Sequence, residues 1–191
     1  MASPLPTADR LLARLPLLAN AHAVVIGDLM LDRYVYGSVE RISPEAPIPV
    51  LAIEREVAMP GGAGNVARNL AALGAQTTFG SAIGRDQAGT ELERLFANER
   101  SITVHLAVDA TRRTTVKTRF VGATQQLLRT DAEQRAAMSD NPRRNLLERL
   151  GDLGGGLASG YDVMVLSDYG KGVLDGGFAA TLIGMARAAG R

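Results

Sequence analysis

The most constraining feature of the sequence is a glycine-rich turn that runs directly into an amphipathic segment, between Met59 and Gly74. The turn contains one proline and three glycines, Pro60, Gly61, Gly62 and Gly64. These residue types permit a tight turn and a close backbone approach to a ligand. Apolar residues then recur at helical spacing, at Val66, Leu70 and Leu73, and Gly74 suits a left-handed helix cap. The pattern predicts a helix N-terminus whose unpaired N–H groups favour oxygen-rich ligands.

Four interpretations of this turn compete. Residues 62–67 fit the G-x-G-x-x-A fingerprint of dinucleotide-binding proteins, although Pro60 interrupts the strand that should precede it. A P-loop is excluded because no G-K-[ST] follows. The paired glycines also suit a sugar-kinase turn that admits a polyol, with Asn65 bonding its hydroxyl groups, or a turn that only packs a helix on a strand. Asn65 favours a ligand, because packing explains poorly a polar side chain in the first helical turn.

Composition excludes several classes of protein. At 191 residues the chain suits one domain with a sizeable core, and its formal net charge of +1 attracts neither nucleic acid nor a membrane surface. The chain has no cysteine, which excludes a disulfide scaffold and a thiolate zinc site. No apolar run is long enough to span a bilayer, and the N-terminus lacks the apolar core of a signal peptide. We therefore expect a cytoplasmic globular protein with no nucleic-acid or membrane partner.

The order of secondary-structure patterns indicates the fold class. Apolar runs typical of buried strands occur at residues 23–26, 75–83, 101–108 and 161–166. One helical pattern covers residues 7–15, and others begin near residues 65, 86, 141 and 178. The helix that begins near residue 141 is expected to end at residues 154–156. Strands that alternate with helices predict an α/β domain over residues 1–191 with a mostly parallel sheet.

Two stretches, residues 33–58 and 111–131, are too polar and too short to belong to that core. We expect them to combine into a small β-sheet lid over the strand ends, the second as a hairpin that turns at residues 122–124. Strand alternation over residues 111–121 places four side chains on one face, Arg113, Thr115, Lys117 and Arg119. This row of cations predicts either a solvated edge protected by charge or a grip on a phosphate group.

Polar residues follow two of the predicted core strands. Asp28 and Asp32 come after the strand at 23–26, and Asp168 and Lys171 come after the strand at 161–166. Ligands of open α/β sheets bind at the carboxyl ends of the strands, so these residues should gather there with the glycine turn. Carboxylates, an amide and lid cations suit a hydroxyl-rich, phosphorylated ligand. His22 and His105 lack a partner in sequence, and we expect both to be structural.

At this point the residues carry a family resemblance. Residues 60–65, with 69–75 and 84–86, resemble the first signature of the ribokinase (PfkB) family of carbohydrate kinases. Four further segments resemble the heptose-7-phosphate kinase branch of lipopolysaccharide and ADP-heptose synthesis: residues 27–34, 41–50, 125–129 and 166–172. The resemblance implies a Rossmann-like core, a β lid that often interlocks in a homodimer, and transfer of a phosphoryl group from ATP, with Mg²⁺, to the sugar C1 hydroxyl of D-glycero-D-manno-heptose 7-phosphate.

The resemblance also implies roles for individual residues. By position, the sugar contacts are Asp32, Gly61, Gly62, Asn65 and Asp168. Charge and strand facing add candidates for the 7-phosphate, which are Lys117, Arg119 and Lys171.

The family's second signature, a Gly-Ala-Gly-Asp turn whose aspartate is the general base, is not found in these 191 residues. We therefore expect the base and the ATP contacts beyond residue 191, no catalytic residue or metal ligand in this chain, and no phosphoryl transfer by the chain alone. A non-catalytic sugar-phosphate-binding or dimerisation module, a kinase for another sugar phosphate and a nicotinamide-dependent oxidoreductase are the alternatives.

Overall fold

The computed structural model describes residues 7–151 and 160–191. Its strands, in chain order, are β1 (His22–Gly27), β2 (Leu29–Ile42), β3 (Pro49–Gly62), β4 (Gln76–Ile83), β5 (Ile102–Val108), β6 (Thr115–Gly122), β7 (Gln125–Ala132) and β8 (Val163–Ser167). Its α-helices are α1 (Ala8–Leu12), α2 (Ala63–Ala72), α3 (Gln87–Ala97), α4 (Asp140–Gly151) and α5 (Phe178–Ala188). A 3-10 helix covers Leu15–Asn20.

The central sheet has the strand order β5-β4-β1-β8 and is parallel throughout, as the alternating pattern predicts. β1 lies inside this sheet because Val24, Val25 and Ile26 are apolar, and each is fully buried. Val24 and Ile26 pack with residues of α4 and α5, whereas Val25 packs with residues of α2 and α3. Helices therefore cover both faces, and the carboxyl ends of the strands meet at one edge.

The second sheet is the small lid, with the strand order β3-β2-β6-β7. β2 and β3 form a long antiparallel ribbon, β6 pairs parallel with β2, and β7 returns antiparallel beside β6. Both polar stretches therefore enter one sheet, but the ribbon is longer than expected, since β2 begins at Leu29 and β3 continues to Gly62. The lid thus grows directly out of β1 and leads directly into α2.

Pro60 lies inside β3, so the prediction that it would interrupt a strand is wrong. β3 is an edge strand of the lid sheet. Edge strands tolerate proline because half of their N–H groups point away from the sheet. The glycine turn is consequently the end of a lid strand and does not follow a strand of the central sheet.

The start of α2 and the capping glycine match the sequence pattern. The helix begins at Ala63 after Gly62, whose φ is +57°, and Gly74 beyond its end has a φ of +97°. Asp86 caps α3 at the expected start of that helix, accepting a 2.8 Å hydrogen bond from the N–H of Gly89. Leu73, which shares the helical spacing, is half exposed because the helix ends one residue earlier.

Two other boundaries differ from the sequence prediction, and a third cannot be compared with it. The first helix ends at Leu12, and Pro16 lies in the following 3-10 helix. The polypeptide at 111–114 is a turn, so β6 begins only at Thr115. α4 runs to Gly151, and its expected end at residues 154–156 lies outside the described residues. Within the described ranges, none of the helices is long and apolar enough to cross a bilayer.

Candidate functional site

Asp32 of β2 lies against the backbone of Gly61 at the end of β3. A Cβ atom at residue 61 would overlap the Asp32 carboxylate and stand 2.6 Å from its Cγ. Real Cβ atoms do not approach other atoms so closely, so a side chain at residue 61 would displace the carboxylate. The contact joins two of the residues that the resemblance assigns to the sugar, and it explains why glycine is needed there.

Gly62 forms the entrance to α2. A Cβ atom at this residue would overlap the carbonyl oxygen of Asp28, and its positive φ independently favours glycine. The N–H of Ala63 donates a 2.9 Å hydrogen bond to the same carbonyl. Asn65 lies in the first turn of the helix and is exposed to solvent. The glycine turn thus lies against Asp32 at Gly61 and leads into a helix whose first turn carries an exposed amide.

Asp28 is fully buried and supports the loop that follows β8. Its Oδ2 accepts hydrogen bonds from the N–H groups of Tyr169 at 2.8 Å and Lys171 at 3.0 Å. Its Oδ1 accepts a third from the N–H of Val173 at 2.9 Å. Three backbone donors compensate a buried carboxylate for lost water. The sequence position of Asp28 predicts a ligand contact, whereas in the structure its carboxylate is buried and supports the loop.

The loop after β8 presents Asp168 and Lys171 next to the glycine turn. The side chain of Asp168 is exposed and accepts a 2.8 Å hydrogen bond from the N–H of Gly170. Gly170 and Gly172 have φ values of +66° and +98°, which let the loop turn tightly around the Asp28 carboxylate. A Cβ atom at Gly62 would lie 3.5 Å from the ring of Tyr169, so this loop and the turn are in contact range.

Arg112 is a supporting residue that the sequence analysis missed. It is buried, and its Nη2 donates a 2.9 Å hydrogen bond to the carbonyl oxygen of Lys171. Burial lowers the pKa of Arg112, and the nearby charges of Asp109 and Asp28 act in the opposite direction. Arg113, expected in the row of lid cations, instead lies in the turn before β6 and is exposed. Strand alternation misassigned Arg113 because β6 begins two residues after it, at Thr115.

Two lysines from different sheets meet at one carboxylate. Lys171 Nζ lies 2.7 Å from Glu133 Oε2, and Lys117 Nζ lies 3.5 Å from the same oxygen. Lys117 also forms a 2.7 Å ion pair with Asp131, its neighbour on β7. The hydrogen bond from Lys171 holds the pKa of Glu133 below its ordinary value. Glu133 was not a sequence candidate, because no local pattern relates a residue just after β7 to the loop after β8.

Arg119 is paired inside the lid. Its Nη1 donates a 2.7 Å hydrogen bond to Asp32 Oδ1, and its guanidinium lies 5.0 Å from the centre of the Tyr34 ring. The hydrogen bond to Asp32 raises the pKa of Arg119 above its ordinary value, although partial burial acts against it. Lys117 and Arg119 share a face of β6 as predicted, but they have different partners.

The two histidines lie outside this group of residues. The imidazole of His22 hydrogen-bonds the carbonyl oxygen of Gly160 and, at 2.9 Å, the hydroxyl of Thr78. His22 lines a cavity of about 530 Å³ at the amino ends of the strands, the end opposite to the glycine turn. His105 is partly buried on β5, where burial lowers its pKa. Neither histidine faces the residues gathered around Asp32.

The family of this chain follows from a comparison with known protein families. Residues 20–151 match the sequence profile of the pfkB family carbohydrate kinases. The match covers more than half of the chain and contains the glycine turn and the whole lid sheet. The chain belongs to the pfkB family of carbohydrate kinases.

Curated relatives of this pfkB-family chain are longer than it is. The bifunctional protein HldE of Paramagnetospirillum magneticum is 52% identical over 181 residues, which are 95% of this chain and 36% of that protein. The D-beta-D-heptose 7-phosphate kinase of Bordetella bronchiseptica is 46% identical over 158 residues, 83% of this chain and 48% of that protein. The pfkB-family chain therefore spans less than half the length of each of these relatives.

Solved structures establish the fold of the family member. Phosphofructokinase-2 from Escherichia coli, in complex with substrates and products, has a TM-score of 0.65 and 24% identity, over 89% of this chain and 52% of that one. A carbohydrate kinase from Agrobacterium tumefaciens has a TM-score of 0.60 and 19% identity, over 90% of this chain and 52% of that one. The ribokinase-like α/β fold with a β-sheet lid is thus confirmed, and the chain contains about half of it.

Proposed function

We propose that this chain is the sugar-binding part of an ATP-dependent kinase. The reaction is phosphorylation of D-glycero-D-manno-heptose 7-phosphate at the C1 hydroxyl to give the 1,7-bisphosphate, a step toward ADP-heptose for the lipopolysaccharide core. The observation that carries the proposal is the meeting of the glycine turn, Asp32 and the loop at 168–171 with two lysines at one edge of the sheet. The 52% and 46% identities to the HldE protein and the heptose 7-phosphate kinase support the choice of sugar.

Each group has a distinct role in this proposal. The carboxylates of Asp32 and Asp168 and the amide of Asn65 bond the sugar hydroxyls, while Gly61 and Gly62 let the ring approach the backbone. Lys117 and Lys171 bind the 7-phosphate, because their ammonium groups already converge on one anion. Arg119 was a third phosphate candidate, but its bond to Asp32 favours a different role, which is to orient that carboxylate.

The family implies a Mg²⁺ ion that acts together with ATP. Within residues 7–151 and 160–191, no three His, Asp or Glu side chains are grouped so that they would hold a metal ion. ATP supplies the phosphoryl group, and we place its contacts, the Mg²⁺ ligands and the catalytic base in sequence outside this chain. The chain's own residues bind and orient the sugar, and we expect no turnover by the chain alone.

We also propose that the protein is a homodimer in the cytoplasm that associates through its lid. Apolar side chains of the lid are exposed, among them Val39, Ile53, Leu127 and Leu128. A sheet that exposes apolar side chains is suited to packing against a second copy. The absence of cysteine in the sequence fits a reducing compartment.

The alternatives differ in what supports them. A non-catalytic sugar-phosphate-binding or dimerisation module would use the same residues without ATP. A kinase for another sugar phosphate would share the site. A nicotinamide-dependent oxidoreductase is disfavoured for two reasons. The glycine turn follows a lid strand, and Asp86, the acid at about the spacing that would bind the ribose, has its carboxylate bonded to the N–H groups of Gly89 and Thr114.

The first test is calorimetric titration of D-glycero-D-manno-heptose 7-phosphate into the 191-residue chain, with a kinase assay on the same sample. Binding without turnover is the expected result. If a folded sample does not bind the sugar, the proposed substrate is wrong. If the chain turns over substrate, the expectation that it lacks a catalytic base is wrong. Parallel titrations with NADH and NADPH test the oxidoreductase alternative, which requires that one of them binds.

A further inference from the structure

One carboxylate connects the lid to the central sheet. Glu133 follows the last residue of β7, and its Oε2 lies within 3.5 Å of Lys117 Nζ on the lid and 2.7 Å of Lys171 Nζ on the loop after β8. The two lysine side chains are only 15% and 16% exposed, so water solvates them poorly. Two ammonium groups can stay this close only when an anion stands between them.

Glu133 is the more displaceable of the two carboxylates in this cluster. Asp131 lies opposite Lys117 in the β6–β7 ladder and is also paired with Arg129 at 2.9 Å, so it is fixed within the lid. Glu133 lies beyond the ladder, and its side chain is 36% exposed. Its long side chain can therefore swing into solvent without breaking a strand pair.

The charges of the cluster favour an incoming dianion. Three cations, Lys117, Arg129 and Lys171, face the two carboxylates Asp131 and Glu133. When a phosphate dianion takes the place of Glu133, three positive charges meet three negative ones. Because the phosphate oxygens accept from both lysines, the exchange also keeps the link between the lid and the central sheet.

We propose that Glu133 is a counter-anion that occupies the phosphate subsite until the phosphate group of the sugar displaces it. It holds Lys117 and Lys171 in position, and it competes with every anion that enters. An unphosphorylated sugar has no group that replaces the carboxylate. Glu133 therefore sets how strongly this site selects phosphorylated over plain sugars, which rests on the proposed role of the two lysines.

The test is the Glu133→Gln variant of the 191-residue chain, titrated with inorganic phosphate and with heptose 7-phosphate. Glutamine keeps the size of the side chain and removes the competing charge. The expected result is a dissociation constant about three- to tenfold lower for both ligands, the range for loss of one partly exposed ion pair. The difference should shrink at high salt, because salt screens charges at this exposure. Binding of the heptose without its phosphate should not change.

Glu99→Gln is the matched control. Glu99 forms a 2.7 Å ion pair with Arg68, and its side chain is 30% exposed, so this substitution removes the same charge and a similar pair away from the site. We expect unchanged phosphate binding in this variant. Phosphate binding that tightens equally in both variants would assign the effect to net charge and overturn the role of Glu133.

Two further variants separate this inference from the proposed function. Lys117→Ala and Lys171→Ala should weaken phosphate binding at least tenfold, on the order expected for a charge-assisted contact. If neither lysine matters, the phosphate subsite is wrong and Glu133 has no such role. If both lysines matter but Glu133→Gln binds phosphate equally or more weakly than the parent, only the counter-anion inference is overturned.

Discussion

The guanidinium of Arg119 is bonded to the carboxylate of Asp32 at 2.7 Å, across the parallel pair β2 and β6. Asp32 has Lys117 as its register neighbour, and Arg119 has Tyr34, so the arginine reaches back along the strand to the acid. The longer, planar side chain makes this reach, whereas Lys117 turns toward Asp131 on the other neighbouring strand. The register of the lid thus gives Lys117 and Arg119 different carboxylate partners, which is the basis for the different roles proposed for them.

Arg119→Ala should weaken binding of phosphorylated and plain heptose by the same factor, about three- to tenfold, because it removes the group that orients Asp32. Lys117→Ala should weaken only the phosphorylated sugar. Calorimetric titration with both sugars measures the two ratios. Arg55→Ala is the control, since Arg55 lies 4.2 Å from the ring of Tyr36 on the same sheet. If Arg119→Ala loses affinity only for the phosphorylated sugar, Arg119 binds the phosphate group and does not act through Asp32.

Gly61→Ala should strongly weaken sugar binding while the protein still folds. The new Cβ atom would overlap the Asp32 carboxylate and force it away from the turn. We expect a dissociation constant at least tenfold higher and a free energy of unfolding lower by about 1–3 kcal/mol, as for other overpacked sites. Titration and urea unfolding measure the two effects. Gly184→Ala on α5, where a Cβ atom meets no neighbour, should keep binding intact. If Gly61→Ala binds the sugar as tightly as the parent, Asp32 does not contact the sugar.

Asp28→Asn should loosen the loop after β8. An amide offers one acceptor oxygen, so its NH₂ group would face at least one of the N–H donors of Tyr169, Lys171 and Val173. We expect a loss of about 2–4 kcal/mol in the free energy of unfolding, because a buried donor is left unpaired. Hydrogen exchange of residues 169–173 should accelerate more than that of β1. Asp175→Asn, whose pair with Arg135 is 3.9 Å long, is the control. Unchanged exchange in this loop would contradict the supporting role.

Asn65→Ala should separate a ligand contact from a packing contact. Asn65 is exposed on the first turn of α2, and alanine is the better helix former, so we expect stability equal to or about 0.5 kcal/mol above that of the parent. Sugar affinity should fall about tenfold, on the scale of a lost hydrogen bond to a polar ligand. Thermal unfolding and titration on one sample measure both. A large loss of stability with unchanged affinity would favour the packing interpretation of the turn.

Acid should destabilise the protein partly through Asp109. This buried carboxylate accepts hydrogen bonds from the N–H and hydroxyl groups of Ser139 and Thr111, at 2.7 to 3.1 Å. Burial raises the pKa of Asp109, but these bonds outweigh it and hold the pKa below its ordinary value of 3.8. The contribution of Asp109 to stability is therefore complete above the unfolded-state pKa of about 4 and is lost as the pH falls through the folded-state pKa.

Urea unfolding between pH 7 and pH 2.5 measures this dependence. Asp109→Asn should be less stable at neutral pH, by about 1–3 kcal/mol, and should show a shallower loss below pH 4. If the free energy of unfolding falls with pH equally steeply in the parent and in the variant, Asp109 does not contribute to the loss of stability in acid.

Much of the fold could be predicted from local patterns. The buried run at Val24–Ile26 predicts a core strand, and Gly62 and Gly74 mark the two ends of α2. Pro60 was misjudged because a proline blocks a strand only where its missing N–H is needed, and the edge position of β3 is not visible in sequence. Arg113 was misassigned because strand alternation carries no signal for where β6 begins.

The sequence by itself determined which residues stand at the ends of strands and turns, because strand and helix periodicity and glycine conformations are local properties. It thereby predicts that Asp32, Gly61, Asn65 and Lys171 gather at one edge of the sheet. Only the tertiary structure decided how their charges are paired. Asp28 bonds a loop about 140 residues away, and Glu133 bridges Lys117 and Lys171 from two sheets. Such pairs form only within narrow limits of distance, and sheet order and strand register decide whether two groups come that close. No local pattern in the sequence encodes sheet order or register.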